Sequence, residues 1–236
     1  NKVDFSFLEF CVRDDLKPKA KNLMAILNPL KIVITNFPEQ KIEKLFLDVN
    51  AESDEKREVP FAREIFIERD DFEEFPPPKF FRLFPGNEVR LMGAYFIKCN
   101  DIVKDENGKI TELRCTYDPE TKSGTGFSAR KVKGTIHWVA CETAVKFAAN
   151  LYDTLLLDET KSAPDDQNHP EEISSPKKNP NSLITLENCF AEPSLKKIRF
   201  FEPMQFVRNG YFCLDTKNSA PEKIVVNRTV SLKSSF

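Results

Sequence analysis

Short segments in which apolar and polar residues alternate recur along most of the chain, and this pattern constrains the fold more than any other feature. From Lys31 onward the alternating segments are KIVITN, EIFIE, EVRLMGAYFIKC, KITELRCTY, KVKGTIHWV, GYFCLD and KIVVNRTVSL. A period of two places successive side chains on opposite faces of a β-strand. Because polar turns separate these strands and no long amphipathic helix lies between them, the sequence predicts an all-β fold of barrels or sandwiches.

One β-hairpin can be predicted in detail from the sequence DENGK. Asn107 and Gly108 suit a two-residue turn, whose central residues need a positive φ. The resulting cross-strand pairs are Ile102–Leu113, Asp101–Arg114 and Glu106–Lys109. One of these pairs is apolar and two join opposite charges, which supports the register. The same register places Cys99 and Cys115 on different faces of the ribbon, so we expect no disulfide between them.

The chain's only tryptophan lies in the alternating segment RKVKGTIHWV, residues 130–139. We expect this segment to be one strand with two sets of side chains on opposite faces. The inward set is Val132, Gly134, Ile136 and Trp138, and the outward set is Lys131, Lys133, Thr135 and His137. The inward set would join a hydrophobic core, and the outward set would present hydrogen-bonding and cationic groups.

The N-terminal segment DFSFLEFCVRDDL predicts a short helix. Asp4 is a suitable N-cap, and Phe5, Leu8 and Val12 would share one face. Pro18 should lie at or beyond the end of this helix.

Two further segments are less regular. The segment AVKFAANLYDTLL alternates like a strand, but its alanines and leucines also suit a helix, so both assignments stay open. Residues 158–180 contain only two apolar residues, Ala163 and Ile173, together with four prolines. This composition predicts an exposed mobile loop.

Composition limits the possible classes of function. The formal charge is −2, so a nucleic-acid site would have to be local. No stretch approaches the roughly 20 apolar residues of a membrane helix, and no signal peptide is visible, so we expect a cytoplasmic protein that does not bind membranes. Six cysteines without a C-x-x-C pair and only two histidines make a zinc site improbable and fit a reducing compartment.

No motif predicts a catalytic, metal or cofactor site. SGTGFSA, residues 123–129, resembles a dinucleotide fingerprint, but a predicted strand follows it where a helix is needed. His137 has no nucleophile motif near it in the sequence, so we interpret it as structural. The carboxylates of Asp70, Asp71, Glu73 and Glu74 lack the spacing of a calcium loop, and we expect a solvated turn.

Two segments mix basic, amide and aromatic side chains, KFFRLFPGNEVRLM and MQFVRNGYF. Such mixtures suit single-stranded RNA, because bases stack on aromatic or guanidinium planes while Arg and Gln bond to base edges. The alternative is an ordinary strand with phenylalanine inward and arginine outward, and the residues alone favour this alternative.

The chain resembles the C-terminal anticodon-binding region of glutaminyl-tRNA synthetases. The segments that carry the resemblance run in order along nearly the whole chain and are CVRDDLKPKA, REVPFAREIFIERDDF, FFRLFPGNEVRL, RCTYDPET, RKVKGTIHWV, LYDTLL, EPSL, GYFCLD and NRTVSLKSSF. The resemblance implies two small related β-barrels, one proximal and one distal to a catalytic body, that exchange strands near the N-terminus, plus a short N-terminal helix.

The resemblance also implies domain boundaries. Residues 1–24 would be a helical linker from the catalytic body, 25–140 mainly the distal barrel, and 141–236 mainly the proximal barrel with the mobile loop at 158–180. Exchanged strands would lie near 25–45.

By position, the resemblance implies six RNA-binding residues, Asn50, Lys79, Arg82, Arg90, Gln205 and Arg208. The chain departs from some family members at Asn22, Phe81 and Met92, where they carry arginine or lysine. A phenylalanine at position 81 could stack on a base in place of a polar contact. Contact with phosphates is our hypothesis for Lys131 and Lys133, and packing between the barrels is our hypothesis for His137.

The resemblance implies that the RNA partner is the anticodon loop of tRNA(Gln). It also implies a monomeric enzyme whose own N-terminal catalytic domain attaches glutamine to the tRNA with ATP. This fragment would bind no cofactor and would be inactive alone. Three alternatives stay open: the equivalent barrels of an archaeal or eukaryotic-type glutamyl-tRNA synthetase, a non-enzymatic RNA-binding barrel protein, and an independent hydrolase using His137.

Overall fold

The computed structural model describes residues 3–50, 52–157 and 177–232. Within these ranges the chain forms one α-helix and sixteen strands. In chain order the elements are α1 (Phe5–Leu16), β1 (Lys21–Leu23), β2 (Ala25–Ile26), β3 (Pro29–Ile34), β4 (Glu43–Asp48), β5 (Lys56–Phe61), β6 (Glu64–Glu68), β7 (Glu88–Leu91), β8 (Phe96–Lys104), β9 (Ile110–Asp118), β10 (Thr135–Ile136), β11 (Val139–Ala140), β12 (Val145–Tyr152), β13 (Leu183–Ala191), β14 (Met204–Phe206), β15 (Gly210–Leu214) and β16 (Ile224–Val230). The predicted all-β class with a short N-terminal helix is confirmed.

One short stretch closes the first barrel. Its strand order is β10-β7-β8-β9-β3-β6-β11, so β10 and β11 are the two edges. Only His137 and Trp138 separate these strands in the chain. The single stretch 135–140 therefore pairs with both β7 and β6 and closes the sheet on itself, which removes free sheet edges.

The second barrel is closed in the same way from the other end of the chain. Its order is β1-β14-β15-β16-β12-β13-β2, and only Met24 separates the edge strands β1 and β2. The stretch 21–26 therefore closes a barrel built otherwise from β12 to β16, while β3 belongs to the first barrel. The prediction of two barrels is confirmed, and of the predicted exchange the structure shows one crossing, in which the stretch 21–26 joins the second barrel. The domain boundaries stay a prediction.

Each barrel has its own aromatic core. In the first, Trp138 is fully buried with its ring 5.0 Å from that of Phe61 in an edge-to-face contact, and its indole NH donates to the carbonyl of Met92 at 3.0 Å. In the second, Phe206 packs against Phe212 at 4.5 Å. The inward side chains of the alternating segments supply these cores, as the period of two predicts.

The hairpin β8–β9 follows the predicted register only in its middle. The pairs Asp101–Arg114 and Ile102–Leu113 are confirmed. The pair Glu106–Lys109 is wrong, because Lys109 pairs with Asp105: the Asp105 backbone NH donates to the Lys109 carbonyl at 2.9 Å. Gly108 takes a φ of +77°, as in a three-residue turn.

The lower half of the same hairpin contains a β-bulge. The register shifts between Cys99 and Asp101, so that Cys99 faces Cys115 directly and not Thr116 as predicted. The bulge adds one residue, Asn100, to one strand only, which changes the face that each following residue occupies. Cys99 and Cys115 therefore share one face of the ribbon, so their predicted placement on different faces is wrong, and both thiols are free.

The predicted helix is confirmed, but its apolar face is not covered. The Asp4 carboxylate accepts a hydrogen bond from the Ser6 backbone NH at 2.8 Å, and Pro18 lies beyond the last turn. Phe5 and Leu8 are more than half exposed. Only the C-terminal half of α1 packs on the protein, where Val12 and Leu16 contact the small cluster of Ala20, Tyr211 and Val230.

The two irregular segments have different outcomes. The segment that suited both strand and helix is strand β12, paired with β13 and β16. Residues 158–176 of the predicted mobile loop lie outside the described residues. The described residues 177–179 pair with residues 155–157. The Leu157 NH donates to the Lys177 carbonyl and the Asn179 NH donates to the Leu155 carbonyl, both at 2.9 Å.

The segment RKVKGTIHWV is not the single strand that its alternation predicts. Only its second half enters the barrel, as β10 and the start of β11, and residues 130–134 form no strand. Ile136 and Trp138 are buried as predicted, and His137, on the outward side of the stretch, is buried as well, 1% exposed. The reason is that the second barrel covers this side of the closing stretch.

We predict that Gly134→Ala destabilises the first barrel. A Cβ at Gly134 would overlap the carbonyl oxygen of Phe81 and crowd Val89. Forced overpacking of this kind costs about 1 to 3 kcal/mol, measurable as a lower free energy of unfolding in urea. Gly124→Asn is the matched control, since nothing lies within 4 Å of a Cβ there and asparagine tolerates its φ of +84°. Equal stability of the two variants would contradict the prediction.

Candidate nucleic-acid interface

Five polar side chains meet where the two barrels touch. Glu68 ends β6, Asp71 lies in the turn that follows, and His137 lies in the closing stretch of the first barrel. Arg208 and Asn209 come from the turn between β14 and β15 of the second barrel. We call these five residues the inter-barrel cluster.

The Asp71 carboxylate is the centre of this cluster. It is 1% exposed and accepts two hydrogen bonds from Arg208, at 2.5 Å from Nη1 and 2.6 Å from Nη2. The Nε of Arg82 lies 3.3 Å from the same carboxylate. The prediction of a solvated acidic turn is therefore wrong for Asp71. Such a bidentate pair fixes the plane of the arginine, and hydrogen bonding to Asp71 raises the pKa of Arg208.

His137 connects the closing stretches of the two barrels. Its Nε2 lies 2.9 Å from the carbonyl oxygen of Ala25, in the closing stretch of the second barrel, and its Nδ1 lies 3.2 Å from Nη1 of Arg208. This geometry fits the tautomer with its hydrogen on Nε2, donating to the carbonyl and accepting from the guanidinium. The hypothesis that His137 packs between the barrels is confirmed.

Glu68 holds the chain where it crosses from one barrel to the other. Its carboxylate accepts hydrogen bonds from the backbone NH groups of Leu27 and Asn28, at 2.8 and 2.9 Å, and from the side chain of Asn209 at 3.1 Å. Burial alone would raise the pKa of Glu68. The nearby His137 and these two NH groups outweigh burial and lower it, because they stabilise the carboxylate.

Two of the six predicted RNA-binding residues, Arg82 and Arg208, come together here. Both line a cavity of about 260 Å³ whose wall also contains Asp71, His137 and Asn28. Arg82 donates from Nη1 to the carbonyl of Asp70 at 2.8 Å, and its side chain is 45% exposed. The cavity therefore has one arginine from each barrel, each oriented by Asp71 and each accessible.

Gln205 and Asn50 lie in other surroundings. Gln205 is half-buried in β14, directly beside Asn22 of the closing stretch. The Asn50 amide is buried and donates to the carbonyls of Pro18 and Ala20 at 2.9 and 2.8 Å. It joins α1 to β1, and the structure thus shows a structural contact for this predicted RNA-binding residue.

Arg90 and Lys79 lie outside the cavity as well. The guanidinium of Arg90 lies 4.2 Å from the centre of the Phe96 ring and donates to Ser123 Oγ at 2.9 Å. Burial lowers the pKa of Arg90. Lys79 is exposed in a turn with a φ of +67°. Of the departures from the family pattern, Met92 contributes its carbonyl to Trp138, and Phe81 is 49% exposed.

Sequence reasoning missed Asp71, Glu68 and Asn209 as members of this site. Asp71 lies in an acidic run whose other members are exposed or half-buried, and its partner is 137 residues away. The one available signal was the position of Asp71 three residues beyond the end of β6, where a side chain can turn toward a neighbouring barrel.

Two family models match the chain. Both are described as the anticodon-binding domain of class I tRNA synthetases (E and Q), one over residues 20–118 and the other over 135–215. The chain belongs to this family. The two matched ranges contain every member of the inter-barrel cluster and all six predicted RNA-binding residues.

The chain is also similar to curated glutamine–tRNA ligases. It is 52% identical to the ligase of Clostridioides difficile over 237 residues, covering 99% of this chain and 42% of that protein. It is 52% identical to the ligase of Clostridium perfringens, with 99% and 42% covered, and 44% identical to that of Bradyrhizobium diazoefficiens, with 99% and 41% covered. The chain thus spans less than half the length of these relatives.

In the described ranges, no three or more His, Cys, Asp or Glu side chains come together in a way that could hold a metal ion. Nor does that part of the chain contain a helix with the length and hydropathy that crossing a bilayer requires.

We predict that Asp71→Asn lowers the free energy of unfolding by about 2 to 4 kcal/mol, because it leaves the Arg208 guanidinium without its buried counter-charge. Urea unfolding measures the change. Asp70→Asn is the matched control, since the neighbouring Asp70 is exposed and only its backbone carbonyl bonds to Arg82. A similar loss in both variants would show that the Asp71 ion pair is not the cause.

We further predict a pH dependence that originates at Glu68. Its pKa is lowered in the folded state from the usual 4.5, so its contribution to stability is fully present above about pH 4.5 and is lost as the pH falls through the lowered value. Glu68→Gln should therefore reduce the fall in unfolding free energy below pH 4.5, as measured by denaturation at several pH values. An unchanged slope would contradict the prediction.

Proposed function

We propose that the chain recognises the anticodon loop of tRNA(Gln) as part of a glutamine–tRNA ligase. The observation that carries the proposal is the convergence of Arg82 and Arg208, one from each barrel, on a single cavity between the barrels. Relatives that share about half of its residues are named glutamine–tRNA ligases, which supports glutamine as the amino acid.

The chemistry of the cavity suits an unstacked base. A guanidinium offers five NH donors in one plane and a flat face on which a base can stack. The wall adds Asn209, whose side-chain oxygen can accept a hydrogen bond from a base edge, since its Nδ2 already donates to Ala25 and Glu68. Gln205, Arg90 and Lys79 would serve other nucleotides of the loop, since they lie outside this cavity. Asn50, whose buried amide donates to the carbonyls of Pro18 and Ala20, would act by holding the backbone in place.

The exposed face of α1 supports a second partner, the enzyme's own catalytic domain. Phe5, Phe7, Leu8 and Phe10 are each more than half exposed and lie within two turns of one helix. A cluster of large apolar side chains on a helix is usual where another domain packs. Glutamine attachment with ATP would take place in that domain, and the whole enzyme would act as a cytoplasmic monomer.

We expect the chain to bind tRNA(Gln) with an affinity that falls as the salt concentration rises. We expect Arg82→Ala to weaken this binding by about 10- to 100-fold, because one good bidentate base contact is worth roughly 1 to 3 kcal/mol. Filter binding or fluorescence anisotropy with unmodified transcripts measures both. Arg114→Ala is the matched control, an exposed arginine on β9 away from the cavity.

Transcripts of tRNA(Glu) separate the remaining alternatives. Preference for tRNA(Glu) would favour the glutamyl-specific relative, and equal binding of unrelated structured RNAs would favour a general RNA-binding barrel protein. If Arg82→Ala and Arg114→Ala bind tRNA(Gln) as the unmodified chain does, the cavity is not the anticodon site.

A further inference from the structure

Two cysteines face each other across the hairpin β8–β9 of the first barrel. Cys99 on β8 pairs directly with Cys115 on β9, because the bulge at Asn100 shifts the register of the two strands. Both side chains are buried and both thiols are free. In the described ranges, none of the other four cysteines stands opposite a cysteine in a strand pair.

The backbone hydrogen bonds show which kind of cross-strand pair this is. The Cys99 NH donates to the Asn87 carbonyl at 3.3 Å, and the Gly86 NH donates to the Cys99 carbonyl at 2.8 Å. The Cys115 carbonyl accepts from the backbone NH of Thr35 at 2.8 Å. These bonds point away from the partner strand, as in the non-hydrogen-bonded pair of an antiparallel ladder. In such a pair the two Cα atoms lie about 4.5 Å apart and the side chains are at their closest.

This arrangement suits a disulfide. The Cα atoms of disulfide-bonded cysteines usually lie roughly 4.4 to 6.8 Å apart, so the two strands already have the necessary spacing. A hydrogen bond with the Cys115 thiol lowers the pKa of Cys99, and the same bond, together with burial, raises the pKa of Cys115. Cys99 is therefore the more acidic member of the pair, and the thiolate is the form that attacks an oxidant.

The cover over Cys99 is thin on one side. Its backbone bonds on that side go to residues 85–87, which lie in the turn before β7. Pro85 and Gly86 in this turn are exposed. Backbone hydrogen bonds at an exposed turn open at a lower free energy than those of a barrel core. Local opening there uncovers Cys99 before the barrel as a whole unfolds.

We propose that Cys99 and Cys115 form a reversible modification site, at which a hydroperoxide oxidises the two thiols to a disulfide between β8 and β9. With hydrogen peroxide, the Cys99 thiolate attacks one oxygen and the O–O bond breaks. Cys99 becomes a sulfenic acid, and the departing hydroxide takes up the proton that Cys99 released. The Cys115 sulfur then attacks the Cys99 sulfur, and the hydroxyl group leaves with the Cys115 proton as a second water. The two thiols thus lose two electrons and two protons, and the peroxide is reduced to two waters.

This site goes beyond the proposed function, and none of its measurements uses RNA. The bond would join β8 to β9 inside the first barrel, and thiols would reverse it by exchange. A crosslink restricts the unfolded chain, so it stabilises a protein whose folded geometry accommodates it. The oxidised chain should therefore resist unfolding better than the reduced chain.

Tryptic peptides report the bond directly. The full chain carrying Cys11→Ser, which removes the exposed thiol on α1, is treated with hydrogen peroxide while folded, then alkylated and digested. Trypsin releases Cys99 in the peptide CNDIVK and Cys115 in the peptide CTYDPETK. We expect mass spectrometry to find these two peptides joined, and to find them separate after dithiothreitol. Two of the five remaining thiols should lose their alkylation.

Two matched variants of this parent chain test the pairing. Cys99→Ala should give no joined peptide. Cys189→Ala removes a cysteine that is equally buried in the second barrel, and it should give the same joined peptide as the parent. Peroxide treatment should raise the urea midpoint of the parent and of Cys189→Ala and leave that of Cys99→Ala unchanged. If Cys99→Ala does not fold, the peptides of the parent chain decide.

The joined peptide together with a higher urea midpoint supports the proposal. Sulfinic or sulfonic acid on either cysteine without the joined peptide overturns it, because the second thiol has then failed to trap the sulfenic acid. A folded chain in which both thiols stay fully alkylated after peroxide treatment overturns it as well. A joined peptide with a lower urea midpoint shows that the folded barrel does not accommodate the bond, and this outcome also contradicts the proposal. Each of these negative results leaves the proposed function untouched.

Discussion

The arrangement of the two barrels depends on one buried carboxylate. A charge without water needs a partner of opposite sign, and for Asp71 the Arg208 guanidinium of the other barrel provides it. A well-packed apolar contact of the same size could be equally stable. The ion pair fixes the relative orientation of the two barrels. Its two parallel hydrogen bonds form in only one relative orientation of the turn after β6 and the turn after β14.

The crossing of one N-terminal stretch brings these turns together. The first barrel is closed by its own last stretch, 135–140, and the second by the stretch 21–26, which comes before every strand of the first barrel in the chain. These stretches meet where His137 contacts the carbonyl of Ala25. The barrels therefore share backbone as well as side-chain contacts, and a cavity between them has walls that neither barrel could form alone.

Local features of this fold could be predicted from the sequence, and long-range ones could not. Alternation identified most strands, and the Asp4 cap identified the helix, because both depend on neighbouring residues. The bulge at Asn100 was missed, since no residue there requires it. The burial of Asp71 was missed for a related reason: it is covered by a barrel whose position is set by residues far along the chain.

The pairing of Arg208 with Asp71 is compatible with RNA binding and favours it. The carboxylate takes one NH from each terminal nitrogen, and His137 takes a third, so the Nε donor, one NH of Nη2 and the flat face stay available. A free arginine loses about 2 kcal/mol of rotamer entropy when a ligand fixes it, and Asp71 imposes that loss on folding. Because Arg82 is held by the same carboxylate, a base entering the cavity meets two guanidinium groups whose positions are already set.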